Sequence, residues 1–282
     1  MILERLTLKG KNAIVSGAGG GGIGTATSLA LAEAGANIVA VDVMEDRLKD
    51  TEQKVKAMGR ECMGVVADLR KKTDVQKVVS AAVKRFGAIH CLANVAGGMK
   101  PGQWANLETY TEENFDDVIS MNLRYIFLMS QAVATHMIEK GITGTIASVA
   151  SASGISGAAY HAPYGAAKAG LMSLTRSMAV EWGVYGIRVN ALAPGAVKTP
   201  RAMAQQPALD MDDRLKRVIP IGRACQPDEI AAGLLFLLSP LSSAVSGHTL
   251  VVDGGATSNA SLRGRADTLM PEQSRMREAP RP

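Results

Sequence analysis

Aromatic residues make up only 4% of this chain, and its two tryptophans, Trp104 and Trp182, stand far apart. A surface that interleaves basic and aromatic side chains is therefore missing, and no nucleic-acid partner is expected despite a formal charge of +5. Part of that charge sits near the C-terminus, where Arg263, Arg265, Arg275, Arg277 and Arg281 outnumber Asp267, Glu272 and Glu278. Cysteines are also few. Cys62, Cys91 and Cys225 are widely separated, with no CxxC or Cys/His spacing, so neither a disulfide framework nor a zinc centre is indicated, and no metal site is expected. Long apolar runs are missing too: IAAGLLFLL, from Ile230 to Leu238, is too short to span a bilayer, and the opening MILERLTLKGK carries charges where a signal peptide needs an apolar core. Together these absences predict a cytoplasmic protein with no membrane partner.

What is present is enough apolar material, 47% of 282 residues, to bury one large core, and no composition break divides the chain. Asn12 to Ser16 (NAIVS) reads as a strand, and GAGGGGIG occupies Gly17 to Gly24. TATSLALAEAGA then reads as a helix closed by Gly35, and Asn37 to Asp42 (NIVAVD) as a second strand. Strand, glycine turn, helix and strand form a mononucleotide-binding unit, in which glycines let the backbone approach a pyrophosphate at a helix N-terminus. Asp42 ends the second strand, where a carboxylate binds ribose hydroxyls and repels a 2′-phosphate. That favours NAD over NADP; Arg47, one helical turn on, is the cation that opposes this reading.

The unit repeats. Met44 to Met58 reads as a polar helix, Cys62 to Ala67 as a strand followed by Asp68, Lys71 to Phe86 as a helix, and Ala88 to Val95 as a buried strand. Alternation of this kind predicts an α/β protein with a Rossmann-like, doubly wound parallel β-sheet, helices on both faces, and ligands at the carboxyl ends of the strands, all in a single domain. Met99 to Tyr110 reads as a loop whose Trp104 walls a substrate pocket. From Thr111 a single long helix is expected up to Gly141, with Asn122 in its middle as a poor helix former that binds across an interface or opens the helix to water.

Gly144 to Ala150 is the next strand, delivering Ser151 to the sheet edge. Tyr164 and Lys168 follow, four residues apart in a helical segment, and so leave the same helical face. An ammonium about 5 Å from a phenol, at an effective dielectric near 20, favours the phenolate by about 3 kcal/mol, or about two pKa units. A tyrosine so placed becomes an acid/base usable near neutrality. His161 fits a structural or pocket-rim role, because its offset of three from Tyr164 falls on a proline-interrupted stretch. A Ser-His-Asp hydrolase would need a G-x-S-x-G elbow, which the chain does not have.

These positions, in this order and spacing, carry a family resemblance. From about Leu6 to Gly255 the chain resembles the short-chain dehydrogenase/reductase superfamily. The shared features are the glycine run, Asp42, Asp68, Asn94-Val95-Ala96-Gly97 in place of N-N-A-G, Asn122, Ser151 thirteen residues before Tyr164, Lys168, Asn190-Ala191-Leu192-Ala193-Pro194-Gly195, and Val252-Asp253-Gly254-Gly255. Ser148 and Ser153 do not have the family's spacing to Tyr164. The chain departs from the pattern at Ser16, where the family has threonine, and in a glycine run one residue longer than T-G-x-x-x-G-x-G.

The resemblance implies that Tyr164 is the general acid/base, Lys168 lowers its pKa and binds the nicotinamide ribose, Ser151 orients the substrate oxygen, and Asn122 holds a proton-relaying water. It further implies cofactor contacts from Ser16, Gly17, Gly22, Ile23, Gly24, Asp42, Asp68, Leu69, Asn94, Ala96, Gly97, Tyr164, Lys168, Pro194, Gly195, Val197 and Thr199. Ile187 to Leu192 then reads as a strand, Lys198 to Ile219 as a mobile substrate lid, Asp228 to Leu238 as a helix and His248 to Val252 as the last strand. The catalytic domain is expected over residues 1–255, and 256–282 as a disordered tail or one that drapes over a neighbour.

The implied function is an NAD-dependent oxidoreductase interconverting a secondary alcohol and a ketone, on a hydrophobic or cyclic small molecule such as a steroid, terpenoid or aromatic alcohol. The protein is expected to work as a homo-oligomer, a tetramer or a dimer. A 3-oxoacyl-thioester reductase is the alternative enzyme, and a dinucleotide-sensing binding protein the non-enzymatic one. The complete Ser151, Tyr164 and Lys168 set counts against the sensor, which has no need of an acid/base.

Overall fold

Seven strands, β1 (Asn12–Ser16), β2 (Asn37–Asp42), β3 (Cys62–Val66), β4 (Cys91–Asn94), β5 (Thr145–Val149), β6 (Arg188–Pro194) and β7 (Thr249–Val252), form one sheet in the order β3-β2-β1-β4-β5-β6-β7. Every pairing is parallel. The computed structural model describes residues 1–205, 215 and 218–258. Half of the segment read as a lid, residues 206–214, 216 and 217, and the tail from residue 259 onward, lie outside the described residues.

Both faces of the sheet are covered, which is why its strands are apolar without alternation. Ala13 and Val15 of β1 join Ile38 and Ala40 of β2 on one face, under Leu31 of α1 (Ile23–Glu33), Val55 of α2 (Glu45–Ala57) and Leu234 of a C-terminal helix (Pro227–Leu238). Ile14, Val39 and Leu92 point the other way, under Val78 of α3 (Lys72–Phe86), Met129 and Val133 of α5 (Tyr125–Glu139), and Leu171 of α6 (Ala162–Gly183). The C-terminal helix starts on Pro227, and Glu229 closes its first turn by accepting from the Gln226 amide at 2.7 Å. At its far end the guanidinium of Arg188 donates to the carbonyls of Leu237 (3.0 Å) and Ser239 (3.0 Å), placing a cation where the helix carbonyls are otherwise unsatisfied.

The structure shifts several expected strand ends by one or two residues, as at β5 and β6, and makes two larger corrections. The β4 strand is shorter than the run Ala88 to Val95, because the Asn12 side chain takes the carbonyls of Phe86 and Ala88 before the ladder begins. The single helix expected from Thr111 to Gly141 is three pieces: α4 (Glu112–Ile119), a π-helical turn (Ser120–Arg124) and α5. Asn122 sits in that π turn and donates to the Val118 carbonyl at 2.9 Å. The widened turn is how the helix accommodates a polar side chain with partners outside it.

Two histidines pin the end of the sheet remote from the glycine run. The Asn12 amide donates to His90 Nδ1 at 3.2 Å, and the Ile89 amide to His136 Nε2 at 3.4 Å, so both rings serve as unprotonated acceptors. Burial first, and then Lys11 and His136 around His90, and Lys140 around His136 (partly offset by Glu139), hold both below the ordinary histidine range. With the folded pKa depressed, this contribution is fully present above the unfolded value of about 6.5 and is lost as pH falls through the folded values. The melting temperature should therefore drop from pH 7 to pH 5 more steeply in the natural chain than in His136→Gln, whose amide oxygen remains an acceptor. Equal slopes in a calorimetric pH series would exclude the histidine contribution.

Candidate active site

At the carboxyl edge of the sheet the backbone makes contacts that only glycine permits. Gly17 has φ +67°, and a Cβ there would stand 2.7 Å from the Ala96 Cα; one on Gly24 would stand 1.9 Å from the Gly17 carbonyl oxygen. The extra residue of the run is absorbed by a left-handed pair, Gly20 (φ +83°) and Gly21 (φ +69°), tied back by the Gly21 amide to Thr25 Oγ1 at 3.1 Å. Gly22 and Ile23 then open α1, whose free amides and dipole form an anion-binding end. Asp42 lies against this loop, accepting from the Gly19 amide (3.1 Å) and the Met44 amide (3.2 Å). Gly19 and Gly20, which the sequence reading did not single out, are pressed against Arg47. This cradle, a helix N-terminus with a carboxylate beside it, fits a dinucleotide.

Asp68, at the end of β3, receives Arg70 on both oxygens (2.9 and 2.8 Å), which holds its carboxyl below the usual range. Arg70 also reaches Asp117 at 3.0 Å, and Asp117 is engaged by Lys100 (2.7 Å) and Gln103 (2.7 Å). This chain of charges ties the strand end to the loop that carries Trp104. Arg70, Gln103 and Asp117 had no pattern of their own in the sequence, since their partners are distant along the chain.

A cleft of about 740 Å³ runs along this edge. All the residues expected in the site line it except Ser16, Asn94 and Asn122, so Ser151, Tyr164 and Lys168 share one cavity with Gly17, Asp42, Asp68, Thr199 and the others. The three exceptions lie just behind its wall. Ser16 Oγ accepts from the amides of Val95 (2.9 Å) and Ala96 (3.2 Å), and Asn94 donates to Ser130 and Ser148 (3.1 Å each). Asn122 accepts from the Gly98 amide at 2.8 Å and donates to the Gly98 carbonyl at 2.9 Å. They set the position of the β4 end and of the glycines after it. Tyr125 adds to this by donating to the Ala96 carbonyl at 2.5 Å.

Tyr164 and Lys168 lie on α6, with Nζ 5.5 Å from the phenol ring centroid. Lys168 is buried and donates to the Val149 carbonyl at 2.8 Å; burial pulls its pKa down to about 7. Burial also pushes the Tyr164 phenol up, while Ser151 and Arg201 pull it back. The phenol depression expected from spacing alone is therefore not what the structure shows. Lys168 is withdrawn from water while Tyr164 is half-buried on the cleft wall, and a lysine held near 7 is only partly charged at neutrality. His161 lines the cleft between Trp104 (ring centroids 4.6 Å) and Tyr164 (6.1 Å). With Nδ1 donating to the Ala159 carbonyl (2.7 Å), Nε2 is left to accept from Ser153 Oγ (3.2 Å). Tyr160, just before it, is held at φ +65°. Arg201, on α7 (Pro200–Gln205), also lines the cleft and escaped the sequence reading, because only the return of the chain over β4 brings it there.

The lysine has a measurable consequence for stability. Its folded pKa of about 7 lies below the ordinary 10.4, so its destabilisation is fully present below pH 7 and absent above about pH 10.4, on the order of 4 kcal/mol at neutrality. Lys168→Met should raise the melting temperature at pH 7 by about 5 °C or more, with the gap to the natural chain narrowing toward pH 10. A lower melting temperature at pH 7 would show that the ammonium stabilises the fold.

Comparison with known proteins agrees with this fold. A family model described as enoyl-(acyl carrier protein) reductase matches residues 17–257. The chain is 37% identical over 259 residues to 2-dehydro-3-deoxy-D-gluconate 5-dehydrogenase from Escherichia coli (strain K12), covering 90% of this chain and 98% of that protein. Among solved structures it is similar to levodione reductase, with 36% identity, TM-score 0.82 and coverage of 89% of this chain and 98% of that one. It is also similar to a 7α-hydroxysteroid dehydrogenase complexed with NADH and 7-oxo glycochenodeoxycholic acid, with 31% identity, TM-score 0.84 and coverage of 90% and 96%. The chain belongs to the short-chain dehydrogenase/reductase superfamily and is an oxidoreductase of that fold.

Proposed function

We propose that the protein is an NAD-dependent dehydrogenase/reductase that interconverts a secondary alcohol and a ketone on a hydrophobic or cyclic small molecule. The observation that carries this reading is that Ser151, Tyr164 and Lys168 line the same cleft as the glycine cradle and Asp42. Gly17, Gly22, Ile23 and Gly24 would hold the pyrophosphate, Asp42 a ribose diol, and Asp68 with Leu69 the neighbouring base. Pro194, Gly195, Val197 and Thr199 would close over the other half, with Ala96, Gly97 and Lys168 beneath it. A nicotinamide dinucleotide, when bound, supplies the hydride acceptor or donor.

The chain's own residues handle the proton. In the oxidative direction the Tyr164 oxygen takes the carbinol proton, and Ser151 donates to the same oxygen as negative charge grows on it. Lys168 assists in proportion to the time it is protonated, and ribose hydroxyls that accept from Nζ would favour its charged form. Asn122 would hold a water passing the proton outward. Trp104, Met99 and Met121 give the cleft the apolar surface that a cyclic body needs. The exposed apolar residues Phe127 on α5 and Val180 on α6, with Val184 just past its end, support a homo-oligomer, read here as a tetramer.

Two variants test the reading. Tyr164→Phe should lower kcat/KM by about three orders of magnitude while NADH fluorescence titration still shows binding; turnover within tenfold of the natural chain would sink the mechanism. Asp42→Ala removes the charge that repels a 2′-phosphate, so the ratio of kcat/KM for NADP over NAD should rise about tenfold or more. An unchanged ratio would remove Asp42 from the ribose site.

A further inference from the structure

Arg201 is the second residue of α7, and its guanidinium crosses from that helix to the end of β4. Nη1 donates to the Gly97 carbonyl at 3.1 Å and Nη2 to the Met99 carbonyl. The group lies against Gly98, where a Cβ would come within 3.3 Å of Nη1, while Lys168 Nζ would stand 3.5 Å from a Cβ on Gly97. The two residues before it face the other way: Thr199 approaches Gly22 (3.8 Å) and Pro200 approaches Gly21 (3.6 Å), each measured to a Cβ built on the glycine. The start of α7 thus divides the cleft, with Thr199 and Pro200 toward the glycine cradle and Arg201 toward the catalytic side. Its charge reaches Tyr164, whose phenol it pulls down.

No carboxylate among the described residues pairs with Arg201. The three acidic residues lining the cleft are all engaged elsewhere: Asp42 by the amides of Gly19 and Met44, Asp68 by Arg70, and Asp117 by Arg70 and Lys100. The two backbone carbonyls fix the fork in place but use only two of its five N–H donors and none of its charge. A guanidinium held in this way matches a carboxylate, which accepts two parallel N–H bonds.

We propose, building on the oxidoreductase reading above, that the substrate carries a carboxylate near its reacting carbon and that Arg201 receives it. The substrate is then a hydroxy acid or oxo acid, with its apolar or cyclic body against Trp104 and His161. Arg201 is a specificity-determining residue that exchanges no proton with the substrate; its charge acts on Tyr164 alike for acids and amides.

The test compares hydroxycarboxylic acids with the neutral amides of the same carbon skeletons, at saturating NAD, by NADH absorbance. The natural chain should prefer the acids. Arg201→Met should reduce the acid-to-amide ratio of kcat/KM by roughly tenfold or more, the effect of losing one charge-assisted hydrogen bond. The loss should appear mainly in KM, and Arg201→Lys should recover part of it. NADH affinity, from fluorescence titration, should stay within about threefold of the natural chain in both variants. A natural chain that turns over the amides as well as the acids would overturn the proposal and leave the oxidoreductase reading intact. Equal losses on acids and amides, or weakened NADH binding with an unchanged ratio, would overturn it in favour of a cofactor-side role. Failure to oxidise any member of either series with NAD or NADP would overturn the oxidoreductase reading itself, and this one with it.

Discussion

The buried ammonium of Lys168 is the group around which the carboxyl edge of the sheet is arranged. It has one backbone partner, the Val149 carbonyl, and no carboxylate partner among the described residues, so the fold carries an uncompensated cost to keep it there. Such a group persists only where the surrounding structure is rigid. Here α6 packs Leu171 and Met178 into the core while β5 fixes the carbonyl that holds the lysine. Tyr164, half-buried on the same wall, has its phenol raised by burial, and its acidity depends on what is brought beside it.

Rigidity at that edge comes from side chains that never reach the cavity. Ser16 holds the amides of Val95 and Ala96, Asn94 bridges Ser130 to Ser148, and Asn122 bonds both polar groups of the Gly98 backbone. The π turn in the middle of the long helix has its explanation in the last of these. A regular α-helix would satisfy its own carbonyls, whereas the widened turn lets Asn122 serve Val118 and Gly98 together. The residues expected to touch a cofactor therefore fall into two groups, one lining the cleft and one fixing the backbone that lines it.

The alternation of apolar runs with amphipathic segments made the doubly wound sheet legible, because buried parallel strands and surface helices leave different periodicities. The site was legible where a residue's role follows from its distance along the chain, as for the glycine run, Asp42, and Tyr164 with Lys168 one helical turn on. The fine assignment of the glycines was not. Whether Gly19 or Gly22 is crowded depends on Arg47 and Thr199, which approach from other elements. Arg70, Asp117 and Arg201 were illegible for the same reason: each draws its meaning from a partner many residues away.

The sequence by itself determined the architecture, the order of its elements and the chemical types at the strand ends, since these follow from local periodicity and spacing. Only the tertiary structure decided the direction of the shifts at Tyr164 and Lys168, because desolvation depends on everything packed around a group, and it raises the phenol where spacing alone suggests a lowering. It also decided that the Asn122 side chain bonds the Gly98 backbone and that Arg201 stands against the end of β4. Both depend on where the chain crosses itself, and no local pattern records that.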